Sequence, residues 1–371
     1  MSPDTLTIEP ERTSKLNLLG SSPENLVEFF ADLDEKPYRA KQIMQWVYQR
    51  RVLDFAKMTD LSLRLRERLT SIAQFSLPAV KTVENSSDGT RKWLIDVGAG
   101  QAVETVFIPE LNRGTLCISS QAGCALDCAF CATGQQGFNR NLTAAEILGQ
   151  IVIASIDLHA QRITNVVFMG MGEPLANYKN VLPAVKLLLD DDAFGLSRRR
   201  VTISTAGLVP QIRRLADECN VVLAVSLHAP TNELRDELVP INRVHPISEL
   251  LDACWRYAQV LASRQVTFEY VMLDGVNDSL HQARVLAGLL KGHPAKVNLI
   301  PFNPFPGSPF SCSPPEVIDA FMRTLWAEGV VATVRRARGD DIAAACGQLA
   351  GQVKDRRKVR LGEKLIGVQS R

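Results

Sequence analysis

No stretch of the chain approaches the ~18 consecutive apolar residues that a membrane-spanning helix requires, so no membrane segment is expected. The opening stretch, Met1 to Lys15, is acidic and polar and lacks the apolar block of a secretion signal. A soluble, cytoplasmic protein is the expectation. Excess charge is missing too: 42 Lys and Arg stand against 40 Asp and Glu, a net +2. Only 22% of residues are charged and 46% are hydrophobic, which excludes a mainly disordered chain. No close internal repeat and no low-complexity segment is visible. At 371 residues the chain can bury a large core, and its length suits one large domain plus a smaller one.

Against these absences stand eight cysteines, half of them between Cys117 and Cys131. In a cytoplasmic chain of this size, clustered cysteines indicate metal or redox chemistry before a disulfide framework. The balanced net charge also hides local asymmetry. Gln352 to Arg371 carries seven Lys and Arg, and Arg198-Arg199-Arg200 and Arg335-Arg336 form two further clusters. Such patches either meet a polyanion, nucleic acid above all, or are solvated faces.

Residues from about 20 to 75 read as helical, with helices opening at Pro23 and covering Tyr38 to Tyr48 and Leu61 to Ala73. Arg39, Lys41, Arg50 and Arg51 lie among aromatics there, in an RNA-touching module or a plain packed cap. Period-two patterning follows at Val80–Val83, Lys92–Val97 and Val103–Ile108, with Asp88-Gly89 as a turn. From Thr115 onward strands and helices alternate, which implies parallel βαβ units and an open or partial barrel. Polar residues crowd the strand ends at Gly172-Glu173, Ser204-Thr205, Ser226 to His228 and Asn303. Chemistry in β/α barrels sits at the C-terminal ends of strands, so one shared site is expected.

Cys124, Cys128 and Cys131 form C-x3-C-x2-C directly after the first barrel strand. Three thiolates can hold three irons of a [4Fe–4S] cluster and leave the fourth open to a small molecule with amino and carboxylate groups. Two other readings stay open at this point. The spacing also fits three buried cysteines on one helix face, or a zinc site with a remote fourth ligand. Met169-Gly170-Met171-Gly172-Glu173-Pro174 supports the cluster: glycines allow close backbone approach and a strand-end glutamate accepts from an ammonium. Together these motifs resemble the radical SAM enzymes, in which the open iron binds S-adenosyl-L-methionine (SAM).

The resemblance then narrows. Val103 to Val106, Ser119 to Gln121, Gln135 to Arg140, Ser226 to Pro230, Val239 to Asn242, Asn303 to Gly307 and Arg338 to Leu349 look like the RlmN family of dual-specificity adenine-C2 methyltransferases. The N-terminal helices resemble that family's accessory domain. The Cfr enzymes, which methylate adenine C8, are the near alternative; Gly172-Glu173-Pro174 and Asn303 to Gly307 look more like the C2 group. A non-catalytic Fe–S protein that binds RNA is a third possibility.

The resemblance implies an α/β fold, a partial (β/α)6 radical SAM barrel with an N-terminal helical accessory domain and a short β extension. The implied division is 1–78 helical and RNA-binding, 79–112 β extension, 113–350 radical SAM core and 351–371 basic tail. Cys124, Cys128 and Cys131 hold one [4Fe–4S] cluster per chain. Gly172, Glu173, Ser204, Ser226, Leu227, His228 and Asn303 contact SAM, of which two are used per turnover. Cys346 carries the methyl group: one SAM methylates it, and a second yields a 5′-deoxyadenosyl radical that takes hydrogen from the S-methyl. The methylene then adds to adenine C2 as a protein–RNA adduct. Glu104 removes the adenine proton, and Cys117 attacks the Cys346 sulfur to release product and leave a disulfide. Cys219, Cys254 and Cys312 match no such position and read as structural. Taken singly, Cys117, Cys346 and Glu104 also fit core thiols and a surface carboxylate.

The implied substrates are 23S rRNA in the peptidyl-transferase region and the tRNA anticodon loop, with a flavodoxin- or ferredoxin-like low-potential electron donor, no membrane and a monomeric chain. A buried site reaches C2 only of an unpaired or flipped-out base. The basic tail and N-terminal helices are expected to grip the RNA backbone, with binding that weakens as salt rises.

Overall fold

The structure is a computed structural model and describes residues 15–159, 161–260 and 265–356. Most of the basic tail therefore lies outside the described residues.

The N-terminal elements are β1 (Leu16–Asn17), α1 (Pro23–Ala31), α2 (Tyr38–Met44), α3 (Leu63–Ile72) and β2 (Ala73–Gln74), with β1 paired parallel to β2. Ser22 caps α1 by accepting from the Asn25 amide, and Pro23 opens it. The helix expected over Tyr38–Tyr48 is α-helical only to Met44 and continues as a π turn over Gln45–Gln49. The wider turn buries three successive side chains, Trp46, Val47 and Tyr48, which an α-helix would spread around its circumference. Trp46 Nε1 donates to Asp60 at 2.5 Å, and the Tyr48 hydroxyl accepts from the Gly20 amide at 3.0 Å. This unit shares one hydrophobic core with the rest of the chain. Gln45 donates to Asp192 at 2.9 Å, Lys41 pairs with it at 3.0 Å, and Tyr48 packs on Phe194.

The antiparallel strands are β3 (Val80–Asn85), β4 (Arg91–Gly98) and β5 (Gln101–Glu110). The turn at Asp88-Gly89 closes with Ser86 N donating to Thr90 O at 2.8 Å. Next come β6 (Arg113–Cys117), β7 (Gln121–Gly123), α4 (Ala132–Gln136), β8 (Phe138–Asn141), α5 (Ala144–Asp157), β9 (Asn165–Phe168), α6 (Tyr178–Leu189) and β10 (Val201–Thr205). The chain continues through α7 (Val209–Glu218), β11 (Val222–Ser226), α8 (Asn232–Leu238), α9 (Ile247–Val260), β12 (Val266–Met272), α10 (Leu280–Leu290), β13 (Ala295–Pro301), α11 (Pro315–Ala327) and β14 (Val331–Val334). Helix starts are written locally: Thr143 and Glu146 form a capping box on α5, as Ser279 and Gln282 do on α10.

One sheet has the order β14-β13-β12-β11-β10-β9-β6-β5-β4-β3. From β14 to β6 every pair is parallel, and from β6 to β3 every pair is antiparallel. Six β/α repeats thus end on β14, as a partial barrel requires. The β extension continues the barrel sheet through β5, whose Val106 faces Cys117.

After β14 the chain crosses the C-terminal ends of the strands as a strap. Ala132 N donates to Gly347 O, Thr133 Oγ1 to Leu349 O, and Asn139 Nδ2 to Lys354 O. On the other side Gln352 and Ala102 exchange backbone hydrogen bonds, and Lys354 N donates to Gln101 Oε1. This strap carries Cys346.

Candidate active site

The three cysteines do not share a helix face. Cys124 to Cys131 is irregular loop, Asp127 has φ +55°, and α4 starts only at Ala132. Two glycines frame the loop. Gly123 has φ +82°, and a Cβ there would collide with the Gly137 carbonyl, which instead accepts from Cys124 N at 2.7 Å. Leu126, Cys124, Cys128 and Phe130 pack with Ala206, Leu238, Val271 and Phe302 in a separate apolar cluster. The loop is therefore held by packing from outside rather than by a backbone ladder.

Burial pushes the Cys124 thiol up to about 12, Cys128 well above the usual thiol value, and Cys131 upward; Cys124 and Cys131 further raise Cys128. Thiols this dry stay protonated until a cation displaces the protons. Among the described residues no three side chains of His, Cys, Asp or Glu stand close enough to share a single metal ion, as the zinc alternative would need. A cubane takes its thiolates at separate corners, and an all-sulfur donor set suits iron–sulfur chemistry. The loop fits that group.

Gly172 has φ +97°, and a Cβ there would strike Gln121. Next to it, Glu173 is buried. Its Oε1 accepts from Leu175 N at 3.0 Å and its Oε2 from Ala206 N at 2.8 Å. Burial raises its pKa to about 7 despite those two bonds. Ser204 and Ser226 lie at the C-terminal ends of the adjacent strands β10 and β11.

Sequence reasoning missed what ties these strand ends together. Arg235, fully buried on α8, donates to Leu227 O at 3.1 Å, Asn242 Oδ1 at 2.9 Å, Ala206 O at 2.6 Å and Ser226 O at 3.0 Å. Burial lowers its pKa only to about 10, so it remains a cation near Cys128. The same region places His228 as a strut. Its φ is +59°, its Nδ1 accepts from Val271 N at 3.0 Å, and its ring meets Phe130 of the cysteine loop edge-on. Burial, then the Arg235 charge, lowers its pKa to about 3, so it is neutral. Leu227 is wholly in the core and presents its backbone here.

On the strap side, Asn303 Nδ2 donates to Cys346 O at 3.3 Å. Cys117 is buried at the end of β6; its thiol is pushed up to about 12 by burial first and by the Cys346 charge second, with Arg335 opposing. Arg335 in turn is coupled most strongly to Cys346, then to Glu269 and Cys117. The two thiols thus lie within electrostatic reach of each other and of one guanidinium. Glu104 faces the strap: Lys92 Nζ lies 3.2 Å from Oε1, and Ala350 N donates to Oε2 at 2.8 Å. Lys92, also missed, reaches Ile342 O at 2.5 Å. Leu94, the next residue on the Lys92 face of β4, is apolar, so no polar stripe marks Lys92 in the sequence.

Comparison with known proteins agrees with this geometry. Residues 16–75 match the ribosomal RNA large subunit methyltransferase N-terminal domain, and residues 118–284 match the radical SAM superfamily. A dual-specificity RNA methyltransferase RlmN of Alkalilimnicola ehrlichii is 58% identical over 92% of this chain and 95% of its own. The chain belongs to the RlmN family. A radical SAM methyltransferase of Sphaerobacter thermophilus superposes with a TM-score of 0.85 at 45% identity, covering 90% of this chain and 99% of that one. RlmN proteins are radical SAM methyltransferases, so a [4Fe–4S] cluster and SAM are the cofactors of this chain. Among the described residues, no helix is long and apolar enough to cross a membrane.

Proposed function

We propose that the chain methylates adenine C2 in 23S rRNA and in the tRNA anticodon loop, with Cys346 as methyl carrier and Cys117 as the resolving thiol. The observation that carries this reading is the strap, which ties Cys346 to the three-cysteine loop through Ala132 N and Gly347 O and to Asn303, with Cys117 at the end of β6 within electrostatic reach of it. An aromatic C–H carbon is a poor nucleophile, so direct methyl transfer from SAM does not serve. When bound, the cluster and SAM supply a one-electron cleavage of SAM and hence a hydrogen-abstracting carbon radical.

The remaining work falls to side chains. Cys124, Cys128 and Cys131 hold the cluster. Glu173 accepts the SAM ammonium, with Gly172, Ser204, Ser226, Leu227, His228 and Asn303 shaping the rest of that pocket. Glu104, fixed by Lys92 and the Ala350 amide, takes the C2 proton. Once the adduct has given up its unpaired electron to the carrier that supplied the reducing electron, Cys117 attacks the Cys346 sulfur; the electrons of the sulfur–carbon bond leave with the carbon, which takes a proton to become the methyl group, and the two thiols end as a disulfide. A dithiol reductant then restores them by exchange. Residues 1–78 and 351–371 contact the RNA backbone. A flavodoxin- or ferredoxin-like protein delivers electrons to a monomeric, cytoplasmic enzyme.

Nucleoside mass spectrometry tests the reading. The reconstituted chain, given SAM, a reductant and unmodified 23S rRNA or tRNA, is expected to yield 2-methyladenosine in both. Appearance of 8-methyladenosine would move it to the C8 group, and absence of SAM cleavage would leave a non-catalytic RNA-binding role.

Glu173 makes a separate prediction. Its carboxyl is raised to about 7 by burial, so it binds a proton across the pH range in which an ordinary carboxylate is already ionised. Only the ionised form accepts an ammonium. SAM affinity is expected to weaken about tenfold per pH unit on going below neutrality, measured by calorimetry on the reconstituted chain. A Glu173→Gln chain should show a flat profile, and a flat profile in the unaltered chain would remove Glu173 from this role. The sign for folding is opposite: the folded state binds the extra proton, so this group's contribution to stability falls as pH rises toward 7.

A further inference from the structure

The interior of the barrel is hollow where a closed β/α barrel carries packed apolar layers. A cavity of about 850 Å3 extends from Cys346 along the inward faces of the parallel strands. That size suits a nucleoside-sized ligand. Its lining mixes apolar side chains with a row of polar ones. Ser226, Glu269 and Asn298 are register partners across β11, β12 and β13, so their side chains share one inward row. Glu269 is 4% exposed, and its Oε2 accepts from Asn298 Nδ2 at 2.7 Å. A carboxylate offers about four acceptor sites, so the pair can still receive a donor from the cavity. Arg335 also lines the cavity, within electrostatic reach of both Glu269 and Cys346, and its Nη1 lies 3.7 Å from Met169 Sδ. At the end beside Cys346 the exposed Arg336 stands at the cavity mouth, while Arg113, Arg199 and Glu110 lie at the opposite, N-terminal ends of the strands.

Asn298 and Arg335 partner this buried carboxylate, and no step of the proposed chemistry uses it. We propose that the cavity is the pocket for the target adenosine: its N6 amine donates to Glu269, Asn298 orients that carboxylate, and Arg336 at the mouth holds a flanking phosphate. The inference rests on the proposed function and names how the same site selects its base. The ring geometry fits. With C2 turned toward Cys346, the N6 amine lies on another edge of the six-membered ring and reaches deeper into the barrel, where Glu269 waits. A guanine would bring its O6 acceptor there and face the carboxylate lone pairs. A base flipped from its stack is read by such polar contacts, while an arginine at the mouth neutralises the backbone.

The test pairs an atom of the substrate with an atom of the protein. The reconstituted full chain and its Glu269→Gln form each receive anticodon stem-loop RNA carrying either adenosine or purine riboside, which lacks the N6 amine, at the target position. For the unaltered chain, loss of the amine is expected to lower kcat/KM by about 10–100-fold. Glu269→Gln should lower the adenosine reaction by a similar factor and leave the purine reaction no slower than in the unaltered chain. This non-additivity cancels any intrinsic change in C2 reactivity. Self-methylation of Cys346 by SAM without RNA should persist in Glu269→Gln, which shows a folded, cluster-bearing chain. Additive losses would overturn the pocket. So would undiminished turnover of the purine RNA by the unaltered chain, a result that needs no variant. If that chain cleaves SAM yet methylates neither RNA, the function proposed above fails first, and this pocket with it.

Discussion

A Cys117→Ala chain, supplied with SAM, reductant and RNA, is expected to end covalently attached to the RNA. Cys117 is 6% exposed and lies at the end of β6, opposite Cys346 on the strap. Its thiol, raised to about 12 by burial and the neighbouring sulfur, is kept unreactive toward solvent species and lies within electrostatic reach of Cys346 and Arg335. Without it, nothing in the site can break the carbon–sulfur bond of the adduct. Turnover should stop at less than one product per chain. Denaturing electrophoresis should show a slow band that ribonuclease collapses. The band should be absent from a Cys346→Ala chain, which cannot accept the methyl group. Continued multiple turnover by Cys117→Ala would remove Cys117 from the resolving role. The other thiols are poorly placed for it: Cys254 is fully buried on α9, where burial raises its pKa, and Cys219 is buried at the end of α7.

The second large effect is expected at Arg235. Replacing it with methionine keeps much of the side-chain volume but removes all the donors. Leu227 O, Ala206 O, Ser226 O and Asn242 Oδ1 would then be left without them in a dry interior. Breaking one side of such a buried charged network costs about 3–5 kcal/mol, readable as a lower urea midpoint at unchanged slope. The damage reaches the site as well. Ala206 N holds Glu173 at 2.8 Å, and Ser226 and Leu227 close the strand ends around it. SAM binding should weaken even in molecules that remain folded. Arg235→Lys keeps the charge but not the planar fork, so it should recover part of the stability. A loss under about 1 kcal/mol would mean that water satisfies these acceptors.

Much of this architecture was legible in the chain before any coordinates. Alternation of short apolar strands with amphipathic helices after Thr115 dictates parallel crossovers, since neighbouring parallel strands need a long connection. Pro315 opens α11, which runs to Ala327, as a proline at the first helical position favours. C-x3-C-x2-C and Gly172-Glu173 announce themselves because their partners lie within a few residues, and short-range geometry follows from short-range sequence. Thr143 and Ser279 signal their helix starts for the same reason.

Tertiary structure alone decided where the long-range partners go. Arg335 and Arg336 are neighbours in a basic run, which composition reads as one solvated patch. Strand alternation separates them: Arg335 follows Thr333 into the cavity, where it meets Cys117, Cys346 and Glu269. Lys92 finds Glu104 only because β4 pairs with β5, and the Ala350 amide finds it only because the strap returns across the barrel. The helix-face reading of the three cysteines was compatible with their spacing. It is excluded by the crossing of Gly123 and Gly137 and by an apolar cluster assembled from strands far along the chain. Spacing and periodicity encode which face a residue joins. They do not encode which distant charge will share it, because that depends on the whole chain closing around one dry interior.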